Sequence, residues 1–430
     1  MTFNNTLNSF GANRTLQVND SGTTTFGGVV GGGLALSSLT TDAPGTTAIN
    51  STGVTTTGNQ TYNDPVTLGA NSTLASTGAG TIQFASTLNG GFALTVNTVG
   101  NTIFTGAVGG GPALASLTTD AVGATQINGG SVTTTAAQTY GDPVTLGADT
   151  TFTGVNVSFN NTLNSSGANR AVTVNDSGTT IFGGVIGGVL PLASLTTDAP
   201  GTTAINTSTT TTGAQIYNDP VILGAATTLT STGNQAITFN STVNDDGNGA
   251  TSSALTVNTG GATTFGGDVG NVAPLTSLTT DAGGTTSLRN VTTTGAQTYN
   301  DNVTLNSTYT TTNSDFTVAG TTTLAGASTT INTGTGNVTF TGTVNGASAL
   351  DITNAGGTTT FSSTVGGVTP LASLTATSGN FSIGAPVTTT GNITLTGTGR
   401  RLIAYWRPSP RGASGRWPRS WCCLNCWWRR

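Results

Sequence analysis

The chain has 430 residues, 34% hydrophobic and only 6% charged, with a formal net charge of -5, whereas a typical soluble protein carries about 25% charged residues. It contains no Lys, Glu or His, so its 16 acids are all Asp and its 11 bases all Arg. That removes Ser-His-Asp and Cys-His relays, imidazole metal ligands, P-loop lysines and Schiff-base chemistry. Ninety-eight Thr beside 63 Gly favour short pleated strands closed by Gly, Asn and Asp turns. Neither the hydrophobic content nor the net charge is that of a disordered chain. Large apolar residues are thinly spread, which predicts a narrow, long core.

In chain order, the first element is Met1-Thr-Phe3-Asn-Asn-Thr-Leu7, which matches Val157-Ser-Phe159-Asn-Asn-Thr-Leu163 farther on. The chain is therefore expected to start inside a repeat, as a fragment. The segment Ser-Leu-Thr-Thr-Asp-Ala then recurs with its acid at Asp42, Asp120, Asp198 and Asp281, at intervals of 78, 78 and 83, with a worn copy from Leu371. Tyr62-Asn-Asp64, Tyr140-Gly-Asp142, Tyr217-Asn-Asp219 and Tyr299-Asn-Asp301 keep step, as do Phe26, Phe104, Phe182, Phe265 and Phe361. Roughly five such units fill 1–399, the signature of a repeat architecture.

A finer rhythm runs inside each unit. Asp20, Asp42 and Asp64 stand 22 apart, and Asp176, Asp198 and Asp219 stand 22 and 21 apart. The unit divides naturally as 22, 22, 17 and 17, giving four coils with three short strands each and a mean coil length of about 20. This predicts an all-β, parallel β-helix or β-solenoid. One coil cannot bury its inner face, but stacking at the ~4.8 Å strand spacing covers it above and below, and twenty coils make a rod on the order of 95 Å. Tandem β-sandwich repeats are the competing architecture. The sub-period and the missing Trp and Cys pair count against them.

Units such as Ala254-Leu-Thr-Val-Asn-Thr-Gly-Gly-Ala-Thr-Thr-Phe-Gly-Gly, followed by Pro274-Leu-Thr-Ser-Leu-Thr-Thr-Asp-Ala, resemble the β-strand repeats of filamentous-haemagglutinin-like and autotransporter-type bacterial surface adhesins. The resemblance covers residues 1–399. It implies a right-handed parallel β-helix, export across a Gram-negative envelope and a cell-surface or secreted role in adhesion. The expected partners are host-cell or matrix glycans or proteins, or further copies of the chain. The family's signal peptide, secretion domain and membrane barrel have no counterpart in the sequence, and no run reaches the ~18 apolar residues of a membrane span.

Charge divides the chain unevenly. Three Arg against sixteen Asp leave residues 1–399 at -13, and eight Arg put residues 400–430 at +8. The basic end also holds Cys422, Cys423 and Cys426, all five Trp and no Thr. It reads as an off-frame, disordered tail rather than a domain. Cys423-Leu-Asn-Cys426 is a single C-x-x-C, short of a four-ligand zinc site, and the acidic body disfavours nucleic acid.

The polar candidates are few. If the spacing of 22 is one coil, Asp20, Asp42 and Asp64, and likewise Asp176, Asp198 and Asp219, stack on one edge. Neighbouring carboxylates ~5 Å apart repel by roughly 1 kcal/mol in water, and Ca²⁺ would relieve them with oxygen ligands. The plainer reading is turn-capping Asp, which needs no cofactor. Asp245-Asp246 is the only adjacent acid pair, and a polysaccharide-active β-helix enzyme would need such carboxylates, but its Asn-Asp-Asp-Gly-Asn-Gly setting reads as an inserted turn. The four repeated tyrosines read as stacked structural residues. The sequence expectation is therefore a non-enzymatic adhesive rod, with a glycan-degrading enzyme or the non-functional product of a truncated adhesin gene as alternatives.

Overall fold

Alternation decides the local structure. Ser38–Thr41, Thr46–Ile49 and Gly53–Thr56 each bury every second side chain and leave the others outward, the period of a pleated strand with one covered face. The structure, a computed structural model, describes residues 1–249, 253–397, 399 and 401–403, and among them it holds strands and no helix. Strands pair in parallel with those one coil away: Thr61 lies opposite both Thr40 and Gln83, and Gln83 opposite Ile103. The expected β-solenoid is found, with about 18 turns of about 22 residues. Coils are thus slightly longer than expected.

The described chain divides into two units, Met1–Gly267 and Asp268–Arg430. In the first, three faces run side by side. One face climbs from Phe26 through Ile49 and the Val66–Leu68 strand to Leu88, Val108, Val132, Phe152, Val174, Thr197, Tyr217, Phe239 and Phe265. A second carries Thr41, Tyr62, Phe84, Phe104 and Ile127. The third carries Val30, Val54, Leu74, Val96, Thr119, Tyr140, Phe159, Phe182 and Ile205.

These registers correct the division of a repeat into four coils. From Phe26 to Phe265 is three sequence repeats, and the first face takes eleven coil steps to cover them. One repeat is three and two-thirds coils. Equivalent residues therefore move to the next face with each repeat: Phe26 is on the first, Phe104 on the second, Phe182 on the third, and Phe265 on the first again. Every face receives the same elements in turn, three repeats apart.

The core follows this rotation. In the first unit each repeated Tyr opens one ladder of three rings: Tyr62, Phe84 and Phe104 at centroid separations of 5.2 and 5.5 Å, then Tyr140, Phe159 and Phe182 at 5.2 and 5.8 Å, then Tyr217, Phe239 and Phe265 at 5.3 and 4.9 Å. Each pair contributes about 0.5–1.5 kcal/mol beyond area burial. Between ladders the same positions are mostly Ile, Leu or Val, with a Thr (Thr41, Thr119, Thr197) one coil before each Tyr and Phe152 on the first face. The corner glycines matter most where loops leave the stack: at Gly109 φ is +69°, and a Cβ would collide with Thr133 O, so a side chain is excluded twice over.

The second unit repeats the plan. Val269, Val291, Tyr309, Ile331, Ile352, Ala376 and Leu395 form one face. Tyr299, Val318, Phe340, Phe361 and Ile383 form another. The backbone of Arg401–Ile403 still pairs with Phe381–Ile383. Residues 404–430, with the Cys and Trp of the basic tail, lie outside the described residues.

Candidate functional site

The Tyr-x-Asp-Pro marker builds a buried polar corner. The strand Gln60–Tyr62 points Gln60 and Tyr62 inward; the chain then turns at Asn63-Asp64-Pro65 into Val66–Leu68. Asp64 is only 1% exposed. Its carboxylate accepts a hydrogen bond from the Thr41 hydroxyl at 2.8 Å and from the Thr47 hydroxyl at 2.8 and 3.0 Å. Both threonines belong to the preceding coil, one on either side of the corner. The acid therefore staples one coil to the next.

Three more repeats do the same. Asp142 takes the hydroxyls of Thr119 and Thr125 at 2.7 and 2.8 Å, Asp219 those of Thr197 and Thr203 at 2.8 and 2.9 Å, and Asp301 those of Thr280 and Thr286 at 2.9 and 2.6 Å. Burial pushes the carboxyls of Asp142, Asp219 and Asp301 above the usual range, and the threonine hydroxyls offset part of that rise. Beside each staple the tyrosine hydroxyl donates to the glutamine two positions earlier, as Tyr140 does to Gln138 Oε1 at 3.0 Å. Gln138 Nε2 in turn donates to Val132 O, Thr134 Oγ1 and Thr153 O. Burial raises all four tyrosine hydroxyls far above their ordinary range, which keeps them neutral donors.

The acids singled out from the sequence do occupy successive coils of shared corners, but each is engaged by donors of the chain. Asp42 Oδ1 accepts the Asp20 N–H at 3.0 Å, and Asp198 Oδ1 accepts the Asp176 N–H at 2.9 Å. Asp20 bonds the Met1 amine and the Gly22 N–H, and these hold its carboxyl below the usual range. Asp176, 1% exposed, accepts N–H groups of Asn156, Val157 and Gly178 and the Thr180 hydroxyl. Asp64 and Asp219 are the buried staples. Among the described residues no three acids or Cys converge as a metal site. Asp245 and Asp246 cap their own turn through the Gly247 and Asn248 N–H groups.

The staples were partly hidden from sequence reading, which saw turn-capping acids. The available signal was Thr at constant offsets before each acid, 23 and 17 positions for Asp64 and Asp142. The structure also shows a feature that sequence reading missed: a pair of loops that leaves the stack once per repeat. Loop 9–14 rests on loop 31–35 of the next coil through Gly33 N–H to Asn8 Oδ1, Ser9 N–H to Leu34 O and Asn13 Nδ2 to Ala35 O. Loops 164–170 and 187–191 repeat the arrangement through Val189 N–H to Asn164 Oδ1 and Asn169 Nδ2 to Pro191 O. Their tips are apolar and exposed, Phe10 at 92% and Val189 at 88%. A shallow depression beside the equivalent loop of the second unit is lined by Thr343, Asn345, Thr364, Gly367 and Val368.

Fold and corners define the class: a β-solenoid of parallel coils pinned by buried Asp-Thr staples, with paired loops projecting once per repeat. Comparison with protein-family models, curated proteins and solved structures finds no match.

Proposed function

We propose that this chain is the structural and adhesive repeat region of an exported bacterial surface protein, carrying no catalysis of its own. The supporting observation is the loop pair, which recurs once per repeat and steps to the next face of the first unit each time. Repetition of one weak contact element on several sides suits multivalent attachment, where linked sites gain avidity by about 10²–10⁴ over a single contact. Staples and ring ladders supply the stiffness, since each coil is pinned to its neighbours.

The test is binding of fluorescently labelled full chain to cultured cells, matrix proteins and a glycan array, beside a glycan-hydrolysis panel. The reading expects saturable, avidity-dependent retention on at least one surface and no turnover. Hydrolysis of a glycan that is lost on Asp245→Ala would replace it with the enzymatic reading.

A further inference from the structure

We infer that the outward side of one face of the second unit is an ice-binding surface, its ligand the ordered water of a growing ice crystal. Five successive coils set the strands Thr308–Thr311, Ser328–Asn332, Ala349–Phe361, Ser373–Ile383 and Ile393–Thr396 side by side. On each strand the two residues flanking Tyr309, Ile331, Ile352, Ala376 or Leu395 lie on the outer side, and all ten are exposed or half-buried. Eight of the ten are Thr; the other two are Asn332 and Asp351.

The ten form a two-dimensional array. Thr308, Thr330, Asp351, Thr375 and Thr394 stand directly opposite one another in turn, and the row from Thr310 to Thr396 keeps the same register with no bulge at these positions. The array therefore repeats at ~4.8 Å from coil to coil and ~6.6 Å along a strand. Both repeats lie close to the spacings of water oxygens on a prism face of hexagonal ice, slightly longer in the first direction and slightly shorter in the second. β-Branching restricts χ1, so the methyls and hydroxyls are held in place before any ligand arrives. Where these threonines bond outside the strand ladders they use the backbone: the Thr308 N–H donates to Asn290 Oδ1, the Thr330 N–H to Ser307 O, and Thr310 O accepts from Gln297 Nε2. Their hydroxyls face solvent.

Composition selects the ligand. A methyl orders the water of its first shell, and a hydroxyl beside it anchors that water by a hydrogen bond, so a regular array of both presents water already arranged in rows. Ionic side chains would impose hydration shells of their own; the chain has no Lys or Glu, and Asp351 is the one charge within the array. Its aromatic residue, Tyr309, is fully buried, so no ring is offered for a sugar to stack on. Other faces lack the second dimension or break the row. Gln297–Tyr299, Phe316–Val318 and Val338–Phe340 are three-residue strands with one outward residue each, and in the first unit Ile103, Ile181 and Ile216 interrupt the outward rows.

This activity stands apart from attachment to cells or matrix, and its test needs no receptor. The purified full chain should open a gap between the melting and growth temperatures of a single ice crystal, facet that crystal, and be taken up into slowly grown ice. Thr353→Tyr with Thr377→Tyr, two bulky groups in one row, should reduce the gap about tenfold or more, since linked contacts fail together. Thr317→Tyr, outward on the single-row face, should leave it unchanged. Asp351→Thr, which completes its row, should widen it, and this gain cannot arise from misfolding; unchanged circular dichroism secures the other variants. Absence of the gap together with exclusion from ice, equal damage from Thr317→Tyr, or a narrower gap in Asp351→Thr would each overturn the inference. Retention on crystalline cellulose without any effect on ice would also overturn it, assigning the array to a glycan instead.

Discussion

Phe159→Ala tests the ring ladder at a position where three other rings meet one. Phe159 is fully buried, stacked between Tyr140 at 5.2 Å and Phe182 at 5.8 Å, with Phe152 edge-on at 4.9 Å. Truncation removes three ring contacts and leaves a cavity that flanking strands, held in register by their own ladders, close poorly; the expected loss is about 3–5 kcal/mol. Because coils touch only their neighbours, the damage should be local. Hydrogen exchange reads this directly, since a single global unfolding free energy is poorly defined for a long repeat array. Amides of Gln138–Tyr140, Val157–Phe159 and Thr179–Phe182 should lose that much protection, while Thr15–Val18 keeps its own. Phe159→Leu should cost less, since it restores most of the volume. A loss below about 1 kcal/mol for Phe159→Ala, or an equal loss along the whole unit, would refute the ladder as a local source of stability.

Other consequences are as direct. Asp142, Asp219 and Asp301 have carboxyls raised by burial, so the folded chain holds their protons more tightly than the unfolded chain. Stability should therefore fall as pH rises above the ordinary carboxylate range, and denaturant titrations should give a higher midpoint near about pH 5 than at pH 7, with the slope reduced in the triple Asp→Asn variant. Asp20, with its carboxyl lowered, acts in the opposite sense, losing its contribution as pH falls. Tyr217→Phe removes the hydroxyl that donates to Gln215 Oε1 at 3.0 Å and should cost about 1–2 kcal/mol in a thermal melt. Gly109→Ala, with Thr133 O in the way, should cost about 1–3 kcal/mol, while Gly91→Ala, with nothing within 4 Å, should be nearly neutral. Since Asp20, Asp42, Asp64, Asp176, Asp198 and Asp219 already accept N–H or O–H donors, a melt in Ca²⁺ should match one in EDTA; a clear upward shift with Ca²⁺ would contradict this.

Much of the fold is legible in the residues. Alternating Thr with Val, Ile or Phe marks the strands, and the even spacing of Asp20, Asp42 and Asp64 is the length of a coil. The non-integral repeat is harder to read, because coil length varies: one turn advances the numbering from Tyr217 to Phe239, and the next, longer by four, from Phe239 to Phe265, so gaps between markers do not divide into turns. The direction of a corner acid is also invisible along the chain. Asp42 and Asp64 sit in similar turns, yet one faces a backbone N–H at the surface and the other a pair of buried hydroxyls. Phe10 betrays its exposure only by comparison with Ser166, its equivalent two repeats on, since a core position would not exchange Phe for Ser.

The stacked register of successive coils is best tested by paired cysteines in a chain whose Cys422, Cys423 and Cys426 are replaced by Ser. Thr118 and Thr139, on successive coils and directly opposite in register, should oxidise to an intramolecular disulfide when both are Cys, since neighbouring strands fall within disulfide reach. Thr61 and Thr139, equivalent residues one repeat apart on the second and third faces, should remain free thiols under the same conditions. Intact mass and thiol counts separate the two; failure of the first pair to close, or closure of the second, would contradict the stacked register.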